Sequence, residues 1–101
     1  GVDLIDVSSG GLSDQQQIPV GPGYQVPFAS EIKSEVGIPV SSVGMIHEAT
    51  FANELVTSGK VDAVMAARAF LRNPRWAFDV AHELNKEITW PRQLSMGKKP
   101  R

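Results

Sequence analysis

The apolar positions of this chain fall into short, nearly continuous runs separated by longer stretches in which they recur at helical spacing. Residues 2–7 carry Val2, Leu4, Ile5 and Val7 with little alternation, the pattern of a parallel strand covered on both faces. Residues 10–23 are rich in Gly, Pro, Ser and Gln and read as a long loop. Residues 24–36 read as a helix, with Phe28, Ile32 and Val36 spaced i, i+4, i+8 on one face and Gly37 placed to end it. A second strand is predicted over 38–43, ended by Gly44, and a second helix over 50–58 with Phe51, Leu55 and Val56 inward. A third strand follows over 61–66, and 67–71 is long enough for one short helical turn. Asn73-Pro74 then has the form of an N-cap followed by proline at N1. The helix after it directs Trp76, Ala77, Val80, Ala81 and Leu84 to the core, and from about Ile88 the pattern is irregular.

Strands alternating with helices imply right-handed crossovers and a parallel sheet. Three such strands alone would leave two unpaired edges and expose surfaces built for burial. A closed (β/α)₈ barrel takes about 250 residues. The expectation is therefore α/β: a C-terminal portion, about strands 6–8 with their helices, of one TIM-barrel domain. It fills residues 1–101 and has an irregular tail over 88–101. The first partner of such a piece is the rest of the barrel.

Composition narrows the function classes. The formal net charge of −1 offers no basic excess for nucleic acid or an anionic membrane surface. No apolar run approaches the ~20 residues needed to cross a bilayer. The chain has no cysteine, which excludes disulfides and cysteine-ligated metal within it. A cytoplasmic location is the default expectation.

Chemistry is expected at the C-terminal ends of the strands, where barrels of this kind bind phosphate on the loops after strands 7 and 8. Gly44 closes the second strand and lets an anion approach the backbone. Ala67 and Arg68 close the third, offering backbone N–H groups and a guanidinium fork suited to phosphate. Ser8 brings a hydroxyl to the same end of the first strand. Taken singly, Gly44 is more simply a turn glycine and Arg68 a surface ion-pair partner, while Ser8 and Ser9 could satisfy local backbone. Their coincidence at matching strand ends favours the anion site. Other motifs fail. "HEATF" places Phe51 where a zinc helix needs its second histidine. "GPGYQV" has Val26 at the third glycine of a dinucleotide fingerprint. His47 reads as a loop or capping residue, His82 as helix surface, and Trp76 and Trp90 as packing residues. Asp3, Asp6 and Asp62 flank strands and are expected to cap or pair locally. No catalytic residue and no metal ligand can be named.

Four stretches, "GVDLIDVSSGG", "GPGYQVPFA", "IPVSSVGMI" and "ARAFLRNPRWAFDVAHEL", closely resemble the C-terminal part of the old yellow enzyme family, in its bacterial NADPH dehydrogenase and xenobiotic reductase branch. The resemblance runs from Gly1 to about Gln93. It implies an FMN-containing (β/α)₈ barrel that takes hydride from NAD(P)H and reduces activated C=C bonds of enals, enones or maleimides, or nitro compounds. Carried over by position, it implies that Gly44, Ala67 and Arg68 hold the flavin phosphate, with Ser8 and Gln25 near the ribityl–phosphate end. Position 67 is often glycine in the family, but alanine keeps the backbone donor. The branch is homo-oligomeric, with a C-terminal arginine reaching a neighbouring subunit. This chain has Met96 there, with Arg92 and Lys98 nearby. Two other readings remain at this level: another phosphate-binding barrel such as an aldolase or isomerase, and a non-catalytic truncated fragment.

Overall fold

In a computed structural model, residues 1–9, 15 and 21–100 are described. Their element order is β1 (Ile5–Val7), α1 (Val26–Val36), β2 (Val40–Val43), α2 (Ala49–Thr57), β3 (Ala63–Met65), α3 (Arg68–Arg72), α4 (Trp76–Glu83) and a 3₁₀-helix over Arg92–Gly97. The strands form one sheet in the order β1-β2-β3, and both pairings are parallel. Sequential neighbours joined by crossover helices are what the alternating pattern requires. The expected loop over 10–23 lies largely outside the described residues.

The ladder fixes two faces. Ile5 stands beside Val40, Val7 beside Ser42, and Ser42 beside Val64. Since side chains alternate along a strand, these five share the face on which the helices pack. Val7 and Val40 there join Val26 and Ala29 of α1, Ala52 and Leu55 of α2, and Ile46 and Val61 in one buried cluster. Asp6, Ser41 and Met65 lie on the opposite face. The Ser41 hydroxyl donates to Asp6 Oδ1 at 2.9 Å and lies 3.5 Å from the Met65 sulfur.

Each strand is shorter than its apolar run. Val2 is 66% exposed, and Leu4 also lies outside the ladder. Just before β3, Asp62 extends the pairing with its side chain. Its N–H donates to the Val40 carbonyl at 2.9 Å, while its Oδ2 accepts from the Val40 N–H at 2.9 Å. Lys33 of α1 reaches Asp62 Oδ1 at 3.1 Å, tying the helix to the start of the strand. This is the local pairing expected of Asp62.

Helix faces required several corrections. On α1 the buried residues are Val26 and Ala29, with Ile32 partly buried; Phe28 and Val36, of the predicted stripe, are 51% and 52% exposed. On α2 Leu55 is buried and Phe51 packs against the core, but Val56 is exposed. On α4 Ala81 is buried, Trp76, Val80 and Leu84 are half-buried, and Ala77 is exposed. The physical reason is common to all three. A helix lying on three short strands buries a narrow stripe, and the apolar side chains off that stripe stay exposed. The tail also departs from expectation, because Arg92–Gly97 winds into a 3₁₀-helix. Trp90 anchors it by lying over Phe78, with ring centroids 4.5 Å apart.

Helix ends follow the sequence more closely. Gly37 takes the left-handed conformation (φ 74°) past α1, donating to the Lys33 carbonyl. Asn73 Oδ1 accepts from the Arg75 N–H at 3.0 Å, the bond expected of an N-cap to the second residue beyond it. The first turn after Asn73 closes on its own carbonyl, so the α-helix proper begins at Trp76.

Candidate functional site

Parallel strands present their C-terminal ends at one edge, so β1, β2 and β3 release Ser8, Gly44 and Ala66 on the same side of the sheet. The turn before α1 returns there as well. The Gly23 N–H donates to the Gly44 carbonyl at 3.1 Å, which brings Tyr24 and Gln25 against the end of β2.

Gln25 is buried, and its carboxamide is used at both ends. Nε2 donates to the Val43 carbonyl at 2.8 Å, and Oε1 accepts from the Ser9 N–H and, at 3.1 Å, from the Ser9 hydroxyl. One side chain thereby joins the ends of β1 and β2. Beside it, Gly44 has φ +123°, and a Cβ added there would lie 2.7 Å from Tyr24 Cε1 and 3.0 Å from Gln25 Nε2. Glycine is required twice over, by the backbone angle and by the side chains packed against it.

Between the ends of β2 and β3 opens a cleft of about 550 Å³. Gly44, Ala67 and Arg68 line it, with Tyr24, His47, Met65 and Arg72. Three of the five residues predicted from sequence are thus brought together. Ser8 is exposed at the end of β1 and is not part of this lining, and Gln25 braces the rim from behind. Ala67 is the N-cap of α3, and Arg68 is its first residue. The Leu71 N–H is bonded to the Ala67 carbonyl; the N–H groups at the start of this turn have no intrahelical acceptor and suit an anion. Met65 closes the strand side, and the loop after β2 closes the other. That loop is held by Trp76, whose indole N–H donates to the His47 carbonyl at 3.1 Å and whose ring meets Phe70 edge-on at 5.3 Å. Among the described residues, no cluster of His, Cys, Asp or Glu could hold a metal ion.

Tyr24, His47 and Arg72 were not among the residues that the sequence singled out for the site. Arg72 carried a readable signal: it stands four residues after Arg68 on a short helix, hence on the same face. Tyr24 and His47 carried none, since both are brought in by loops.

Residues 2–87 match the NADH:flavin oxidoreductase / NADH oxidase family. The chain belongs to this family. It is 46% identical over 97 residues to an NADPH dehydrogenase of Geobacillus thermodenitrificans, covering 96% of this chain and 28% of that protein. NADPH dehydrogenases of Listeria monocytogenes serotype 4a and Geobacillus sp. strain WCH70 are 44% and 45% identical over 95 and 97 residues, with 94% and 96% of this chain and 28% of each relative covered. The chain spans little more than a quarter of the length of these curated relatives. Membership of a flavin oxidoreductase family sets aside the aldolase and isomerase reading. Among the described residues, no helix is long and apolar enough to cross a membrane.

Proposed function

We propose that this chain is the phosphate-holding part of an FMN-dependent NAD(P)H oxidoreductase. Its three strands would be about the sixth to eighth of a (β/α)₈ barrel. The observation that carries the reading is the convergence of Gly44, Ala67 and Arg68 on one cleft at the C-terminal edge of a parallel sheet. That edge is where such barrels bind phosphate.

The donor set fits the group. A phosphate monoester offers oxygens that accept from backbone N–H groups and from a planar guanidinium fork. The turn at Ala67–Arg68 supplies the former and the Arg68 side chain the latter. Gly44 keeps the opposite wall low. Gln25 and Ser9 fix the strand ends on which this geometry depends. Ser8 and Gln25 would stand toward the ribityl end. FMN held there would supply the hydride-transfer chemistry between NAD(P)H and an activated C=C bond of an enone or enal, or a nitro compound. The residues of this chain bind and orient it. The family resemblance also supports a cytoplasmic homo-oligomer acting on small molecules.

The test is to purify the protein that carries this chain and release its cofactor with acid. The reading expects a yellow protein that yields FMN, and Arg68→Ala should weaken FMN binding by about 1.5–3 kcal/mol, the range for a charge-assisted hydrogen bond. A colourless protein that takes up no FMN would overturn it.

A further inference from the structure

The cleft holds a second arginine with no assigned partner. Arg72 lines it together with Arg68, and no carboxylate among the described residues does. Neither guanidinium makes an ion pair or hydrogen bond among the described residues. The two stand at i, i+4 on α3, one turn apart on a five-residue helix. Like charges at that spacing repel one another, and no acidic side chain among the described residues pairs with either.

An anion between the two arms would remove the repulsion. A phosphate monoester carries close to two negative charges near neutral pH, and Arg68 balances one. From this charge balance we infer that Arg72 is the second cation of the site, closing with Arg68 on one phosphate dianion. The inference rests on the proposed flavin-phosphate site and deepens it. It makes Arg72 a determinant of selectivity for phosphorylated flavin over the same flavin without phosphate. Among the described residues, the other ionisable side chains in the lining are Tyr24 and His47, and no Asp or Glu is among them. Arg72 also ends α3, where a cation complements the helix carbonyls. That structural role alone would make it matter for folding but not for telling the two flavins apart.

The experiment measures dissociation constants of FMN and riboflavin for the flavin-stripped protein, comparing wild type with Arg68→Ala, Arg72→Ala and Arg72→Lys. Arg72→Ala should weaken FMN binding about tenfold, the scale of one charge-assisted contact, and leave riboflavin unchanged. Arg72→Lys should recover most of the loss and serves as the reporter if the alanine variant does not fold. Inorganic phosphate should compete with FMN less well in Arg72→Ala than in wild type. If Arg68→Ala lowers the FMN-to-riboflavin preference and Arg72→Ala does not, the inference fails while the phosphate site stands. If neither changes the preference, the phosphate site itself is misassigned.

Discussion

Tyr24 fills the space that a side chain at position 44 would need. Its ring lies where a Cβ would be met at 2.7 Å, and φ at Gly44 is +123°. Gly44→Ala therefore suffers both a clash and a strained backbone and should lose about 1–3 kcal/mol, the scale of one residue held in a sparsely populated region. Urea unfolding measures the loss. In the double variant with Tyr24→Ala, the clash with the ring is gone while the 3.0 Å approach to Gln25 Nε2 and the backbone strain remain, so part of the loss should persist. A fully tolerated Gly44→Ala would show that the end of β2 is not held as described.

Gln25 is the brace between two strand ends. Replacing it with alanine leaves the Val43 carbonyl and the Ser9 N–H without their partner. Losing a hydrogen bond at such partly buried sites costs about 0.5–1.5 kcal/mol. The expected result is a fall in unfolding free energy of that size, with weaker FMN binding as a consequence of the loosened rim. Stability equal to wild type would mean that water or neighbouring groups satisfy these atoms equally well.

Ser42 presents the opposite case. It is fully buried on the helix-packed face, and its Oγ has no hydrogen-bond partner among the described residues. A buried hydroxyl without a partner is a cost that alanine avoids. Ser42→Ala should raise stability by about 1 kcal/mol, seen as a higher denaturation midpoint with an unchanged slope. A clear loss of stability would reveal a partner for the hydroxyl.

Asp62 gives the fold an acid-sensitive joint. The Val40 N–H, and after it Lys33, hold its carboxyl below the ordinary aspartate value. A carboxyl depressed in the folded state stabilises the fold above its unfolded-state pKa, and that contribution is lost as pH falls through the folded value. Stability of the wild type should therefore decline below about pH 5 more steeply than that of Asp62→Asn. Thermal unfolding across this range checks the sign. Parallel curves would dismiss the joint.

Much of the site was legible because its residues sit at fixed positions relative to sequence-defined strand ends. Gly44 follows a strand, and Ala67 and Arg68 start a helix, so a parallel sheet had to bring them to one edge. Ser8 met the same rule but stands outside the cleft, because the lining draws on the ends of β2 and β3 with the turn carrying Tyr24. Gln25 matched by resemblance, yet its amide braces the strand ends. Which helical residues are buried was misread where apolar side chains were assigned inward by spacing alone. Phe28, Val36, Val56 and Ala77 all face away from the packed stripe.

The sequence by itself determined the alternation of strands and helices, their parallel order, the glycine stops and the family. These depend on local backbone preferences and on the period of apolar residues, which are written in consecutive positions. Tertiary structure alone decided that Tyr24 leans on Gly44, that Gln25 spans from Ser9 to Val43, and that Asp62 completes a ladder with its side chain. Each of these contacts depends on how separate elements are held against one another. That placement comes from packing geometry, and no local period along the chain encodes it.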